Sequence, residues 1–291
     1  MGPLVRGPIQ APPPPLLGWL AQAKRAGYAG VELQPHPSVT PREFAQMLED
    51  GGLRLAGAPF VGGLAELTID AERRRVAPVL ERALAAGGGA ILYTEFTREV
   101  RSDETVPLRD RPQPGRDELR RYGEKLTKLA DWLAGEGCTL AYLPRLGTLI
   151  ESRAEIDLLM ASSDSTVRLA LNLGAAAVAG IEAADLIRRQ GERFGYLRLQ
   201  SVDEERARQG RDEGWSFPRL LREGVQGAPS CHAPPPDLAA LGRALTDVGY
   251  RGWAVAAAEG RPSDWEPATV AADARDAVER LMQELTSVAA E

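Results

Sequence analysis

Cysteine and histidine are scarce in this chain. Its 291 residues include two cysteines, Cys138 and Cys231, and two histidines, His36 and His232. Two thiols far apart in sequence make neither a disulfide framework nor a cysteine-rich zinc site. Two imidazoles leave little material for a histidine-built metal site or triad. Aromatic residues are 5% of the chain against 44% hydrophobic residues overall, so the core is expected to be built from Ala, Leu and Val. No apolar run reaches the roughly 18 residues of a membrane-spanning helix, and no membrane partner is expected. No basic run is interleaved with aromatics, and 35 basic residues face 41 acidic ones for a net charge of -6, which argues against a nucleic-acid partner. The opening MGPLVRGPIQAPPPP has neither the charged nor the apolar region of a signal peptide, so a cytoplasmic location is expected.

What the chain does have is alternation. Residues 3–10 contain a short apolar run readable as a first strand. A proline-rich connector follows over 11–15, then a helix from Leu16 to about Gly27. GVELQPH is a second strand, and Thr40-Pro41-Arg42-Glu43 has the form of a capping box with proline at the first helical position. LRLAGAPF, AILYTEF, CTLAYLP, VRLALNL, YLRLQS and WAVAAA read as six further strands. Helices with 3.6-residue apolar spacing lie between most of them: 69–86, 117–136, a piece opened by the capping box Ser152–Glu155, 182–193, 237–248, and a closing helix over 269–288. Residues 97–115 are polar and proline-containing, without core periodicity, and read as a long rim loop. Residues 202–236 read as an extra segment. Eight strand–helix alternations without a dividing linker argue for a single α/β (β/α)8 barrel over residues 1–291.

AKRAGYAGVEL, GLRLAG, LAYLPRLGTLIESRAEIDLLM and RGWAVAAAEG resemble the xylose-isomerase-like TIM barrels of the sugar isomerases and epimerases. The likeness is strongest to the inosose dehydratase branch and covers nearly the whole chain, including that branch's segment after the seventh strand. Such relatives bind a divalent metal at the carboxyl ends of late strands. Where they read Tyr-His-Pro-His, this chain reads Tyr142-Leu143-Pro144-Arg145. Where they carry Asp before Thr-Gly-His, Asn172 stands before Leu173-Gly174-Ala175. Their His-Leu-Lys-Asp is Arg198-Leu199-Gln200-Ser201, and their Glu at the end of the eighth strand is Ala257.

Leu143, Arg198 and Ala257 supply no metal ligand, and a permanently cationic guanidinium repels a metal ion. The expectation is therefore a site with no metal and no cofactor. Alternation along a strand puts Tyr196, Arg198 and Gln200 on one face, and Leu143 with Arg145 on another. Arg145 and Arg198 would then enter the pocket from separate strands, with Glu32 and Glu95 as the candidate acid or base groups. Gln34, Tyr93, Asn172, Tyr196, Gln200, Trp215 and Glu259 are candidate substrate contacts. Two guanidinium forks suit a carboxylate, a phosphate or an enolate. The expected partner is a small anionic or polyhydroxylated molecule, with a homo-oligomer left open. Two readings stand side by side: a metal-independent acid/base enzyme (isomerisation, dehydration or cyclisation), and a catalytically inactive relative that binds a metabolite or a protein partner, its arginines pairing with leftover carboxylates. A metal enzyme with displaced ligands is the third.

Overall fold

The alternation read from the sequence becomes a parallel sheet wrapped by helices. The computed structural model describes residues 16–33, 38–227, 238–257, 274–275 and 278–283. Helix α1 (Leu16–Arg25) precedes β1 (Gly30–Glu32), and α2 (Pro41–Gly51) leads into β2 (Arg54–Gly62). Helix α3 (Ile69–Ala85) is followed by β3 (Gly89–Glu95), α4 (Arg116–Gly135), β4 (Cys138–Tyr142), α5 (Arg153–Ala161) and β5 (Val167–Asn172). Two helices, α6 (Leu173–Val178) and α7 (Ala183–Gln190), then precede β6 (Phe194–Leu199). The extra segment holds β7 (Ser201–Val202), α8 (Glu204–Glu213), α9 (Phe217–Arg222) and β8 (Gln226–Gly227). Helix α10 (Leu238–Asp247) and β9 (Ala254–Ala256) complete the described elements, with residues 274–275 and 278–283 also helical. The expected first strand, residues 3–10, lies outside the described residues.

The seven parallel strands run in the order β1-β2-β3-β4-β5-β6-β9 and curl into a nearly closed barrel. The two ends of that order approach each other at Trp253, just before β9. A Cβ on Gly30 of β1 would fall 2.8 Å from the Trp253 indole, and the Arg54 guanidinium lies over the same ring at 4.7 Å. Both capping boxes form. Glu43 N–H donates to Thr40 Oγ1 at 3.2 Å, and Ser152 N–H donates to Glu155 Oε2 at 2.8 Å.

Two apolar layers result from the period-two alternation. The outer one lies between sheet and helices and includes Leu119, Leu126, Leu129 and Leu133 of α4. The inner one fills the barrel with Leu92, Ala141, Leu143, Ala170 and Tyr196. Leu143, at a ligand position of the relatives, is thus part of the barrel's own packing.

Three departures from the sequence reading bear on the site. The seventh strand does not run through to Ser201: it stops at Leu199, and Ser201 and Val202 pair antiparallel with Gly227 and Gln226. The helix α6 was not expected, because GAAAVA has too little amphipathic contrast to announce a helix; its signal was Asn172, whose Oδ1 caps Ala175 N–H at 3.0 Å. The 97–115 loop is fastened to the rim, with Val100 N–H donating to Gly147 O at 2.9 Å and Leu108 N–H to Trp215 O at 3.1 Å.

Gly62 ends β2 directly beneath a tyrosine ring: a Cβ there would lie 1.9 Å from Tyr93 Cζ. Gly62→Ala is expected to destabilise the fold by about 1–3 kcal/mol through overpacking, read as a lower urea midpoint with an unchanged m-value.

Candidate active site

Strand β6 delivers the first two groups. Tyr196 and Arg198 are two residues apart and share the axial face, and Glu32 reaches the same point from the end of β1. Arg198 forks onto the carboxylate: Nε donates to Glu32 Oε2 at 2.8 Å and Nη2 donates to Glu32 Oε1. The Tyr196 hydroxyl donates to Glu32 Oε2 at 3.0 Å. Arg198 is only 7% exposed. Burial opposes its charge, but the Glu32 carboxylate more than offsets this and holds the guanidinium above its ordinary value. Burial, and then the neighbouring Glu32 charge, push the Tyr196 phenol well up, so it keeps its proton.

The ends of β4 and β5 supply Arg145 and Asn172. Arg145 begins the turn after β4, where its carbonyl accepts from Thr148 Oγ1 at 2.7 Å and Gly147 takes φ +70°, a conformation that suits glycine. Its guanidinium lies well below its ordinary value because it is buried and because Arg101 and Arg198 oppose it; Glu32 pulls the other way. Arg145, Glu151 and Asn172 line a small cavity closed by Pro144, Leu171 and Ile181. The Asn172 amide oxygen is already engaged as the α6 cap.

Two rim residues were not singled out by sequence. Arg111 anchors the 97–115 loop: its Nη2 donates to Glu155 Oε1 at 2.7 Å, and its Nε lies 3.2 Å from Glu151 Oε2. Arg101 donates to Leu146 O at 2.8 Å. Both sit in a stretch whose only sequence signal was polarity.

Other expected site residues stand elsewhere. Tyr93 and Glu95 occupy the face of β3 opposite to the axial Leu92. The Tyr93 hydroxyl donates to Glu72 Oε1 of α3 at 2.6 Å, and burial followed by the Glu95 and Glu72 charges raises it. Glu95 is fully buried and accepts from Ala65 N–H at 3.0 Å and Thr97 N–H at 2.9 Å, so it organises the loop after β2 and does not enter the mouth. The axial residue at that height is Thr94, which donates to Leu143 O at 3.0 Å.

Gln200 leaves the strand and packs on α6, where a Cβ on Gly174 would lie 2.6 Å from its Oε1. Its amide has no hydrogen-bond partner among the described residues. Trp215 is buried in the extra segment with Phe217, Leu220 and Val225, and its Nε1 donates to Glu213 Oε2 at 2.8 Å. Gln34 and Glu259, together with His36, Cys231 and His232, lie outside the described residues.

The family resemblance implies a divalent metal here, but the side chains at those positions do not fit one. Leu143 is apolar, Arg198 is cationic and fills the space beside Glu32, and the Asn172 oxygen is committed to a cap. Among the described residues, no three His, Cys, Asp or Glu side chains converge as a ligand set.

The Xylose isomerase-like TIM barrel family model matches residues 20–283, and the chain belongs to that family. It is 30% identical over 257 residues to the rhizopine catabolism protein MocC of Rhizobium meliloti, covering 88% of this chain and 78% of that one. It is 26% identical over 262 residues to an inosose dehydratase of Lacticaseibacillus casei, covering 88% and 86%. An L-ribulose 3-epimerase structure superposes with a TM-score of 0.66 at 16% identity, covering 94% of this chain and 91% of that one.

Two outcomes follow from these ion pairs. Glu32→Gln and Arg198→Met alone are each expected to cost about 3–5 kcal/mol, because each strands a buried partner. The double variant should recover at least half of the summed loss, measured by urea unfolding as a double-mutant cycle.

At the second pair, burial raises the Glu155 carboxyl, but Arg111 and the N–H groups of Glu151 and Ser152 outweigh it and hold the group below its ordinary 4.5. Its stabilising contribution is therefore complete above 4.5 and is lost as pH falls through the lower folded value. Glu151 runs the other way: burial raises it above 4.5, so its contribution is complete below 4.5 and is lost as pH rises through the folded value. Glu155→Gln should flatten the acid limb of stability against pH below 4.5, followed by denaturant unfolding at each pH.

Proposed function

We propose that the barrel mouth binds a small polyhydroxylated carbonyl compound carrying an anionic group and moves protons on it without a divalent metal. The observation that carries this reading is the trio at the axis. A carboxylate, Glu32, is gripped by the Arg198 fork and receives a hydrogen bond from a phenol, Tyr196, that burial keeps protonated. Arg145 stands beside them, its positive charge opposed by two neighbouring guanidiniums.

Removing a proton next to a carbonyl builds negative charge on oxygen, and a fixed cation in a water-poor site stabilises that charge best. Relatives place a metal there; Arg145 supplies fixed charge instead. Glu32 is the candidate base and Tyr196 the candidate acid, about one hydrogen-bond length apart. The polyhydroxylated part of that substrate class is supported by relatives named for an inosose and a rhizopine. The reaction class then falls among isomerisation, epimerisation and dehydration.

One observation favours a second reading, binding without turnover. The Glu32 carboxylate already accepts two hydrogen bonds from Arg198 and one from Tyr196, so its oxygens are engaged within the protein.

The test is solvent-deuterium exchange into a bound anionic keto-sugar, measured with and without chelator. Exchange is expected in the wild type and should be insensitive to chelator. Arg145→Ala is expected to weaken binding at least tenfold, about 1.4 kcal/mol. Binding without exchange would select the second reading. Exchange abolished by chelator and restored by manganese would overturn metal independence.

A further inference from the structure

Strand β2 shows on which side the barrel mouth is open. Gly57 faces the axis, because a Cβ built there would lie 3.0 Å from the Tyr196 hydroxyl and 3.1 Å from Leu92 Cδ1, both in the inner layer. Its register partner on β1 is Glu32, and its missing side chain lets the Tyr196 hydroxyl reach that carboxylate. Gly62 faces the other way, against Tyr93. Strand parity then puts Pro59 and Val61 on the axial face with Gly57.

Exposure along that face rises step by step toward the carboxyl end. Gly57 is buried, Pro59 half-buried and Val61 51% exposed, while Ala58, Phe60 and Gly62 on the opposite face stay buried. Fraying does not account for this. Val61 is paired with Thr94 and Gly62 with Glu95. The Val61 carbonyl accepts from Arg75 Nη2 at 3.0 Å, and the Gly62 carbonyl from Phe96 N–H at 3.1 Å. On the β3 to β6 side, Thr94, Leu143, Asn172 and Arg198 are all buried. A single apolar side chain exposed on an outer surface is ordinary. Val61 instead stands on the inner face of a strand whose ladder is intact, beside the approach to Glu32.

Four residues at about 3.3 Å each place Val61 roughly 13 Å beyond Gly57 along β2. A substrate whose reacting carbon lies at Glu32 therefore meets Val61 with its far end, not with the atoms beside its carbonyl. We propose that Val61, with Pro59 beneath it, is a specificity-determining residue that touches this remote end and selects a methyl group there over a hydroxymethyl group. The inference rests on the reading of the mouth as a site for a polyhydroxylated carbonyl compound and adds the chemistry of that compound's distal end. A hydroxyl pressed onto Pro59 and Val61 gives up hydrogen bonds to water and gains none from either side chain. A methyl group there takes apolar surface of both partners out of water.

The experiment is calorimetric titration of the full chain with L-rhamnulose 1-phosphate and L-fructose 1-phosphate, which differ only in a methyl against a hydroxymethyl group at C6. The two unphosphorylated sugars are titrated alongside, and all four are compared in the wild type, Val61→Thr and Val61→Ala. The wild type is expected to bind the 6-deoxy phosphate tighter, on the order of tenfold. Val61→Thr keeps the side chain's shape and exchanges a methyl for a hydroxyl, so it should abolish or reverse that preference. Val61→Ala should lower it several-fold. Urea midpoints of both variants should stay near that of the wild type, since Val61 is half exposed, which separates a change of selectivity from a loss of fold. Equal binding of the two phosphates by the wild type, or a preference that survives unchanged in Val61→Thr, overturns the role of Val61 and leaves the reading of the mouth standing. A 6-deoxy preference that is equal in the unphosphorylated pair, with no gain from the phosphate, supports Val61 and removes the anionic group from that reading. Binding of none of the four overturns both. Should Val61→Thr fail to fold, Val61→Ala decides: an unchanged preference there sinks the proposal.

Discussion

A buried fork between Arg198 and Glu32 is the interaction on which the mouth of this barrel depends. It joins β6 to β1 across the axis and satisfies two charges that would each be expensive to bury alone. It also sets the chemistry of the space above it. With a guanidinium locked to that carboxylate, the Glu32 oxygens face a fixed cation from β6. Tyr196 shares the same acceptor and adds a neutral donor.

Around that fork, three loops compete for the same rim. The turn after β4 carries Arg145, the 97–115 loop carries Arg101 and Arg111, and the extra segment carries Phe217. Each is fixed by the others: Arg111 to Glu151 and Glu155, Arg101 to Leu146, Phe217 to Arg101. Such mutual fastening lets a stretch without regular structure hold a guanidinium in one plane.

Much of this was legible from local pattern. The parallel strands and most helices follow from apolar periodicity, and both capping boxes formed from the four residues that announced them. Tyr196 and Arg198 share a face because strand parity is a local property. Tyr93 and Glu95 show where that logic stops. Their mutual parity is equally plain, but which face of β3 meets the axis depends on its pairing with β2 and β4, and a one-residue difference exchanges the two faces. Gln200 fails for another reason: β6 ends one residue before it, because Ser201 finds an antiparallel partner in Gly227. Arg101 had no readable signal, since its position is decided by a carbonyl and a ring from two distant segments.

By itself the sequence determined a chain of alternating strands and helices, the pairing of Tyr196 with Arg198 on one strand face, and the absence of the relatives' ligand types at Leu143, Arg198 and Ala257. Those are properties of single residues and short spacings. Only the tertiary structure decided that Glu32, 166 residues before Arg198, would be its partner, and that Arg101 would meet the turn after β4 while Glu95 turned to the loop after β2. Closing the barrel brings those side chains within hydrogen-bond reach, and no local propensity encodes a contact across the axis.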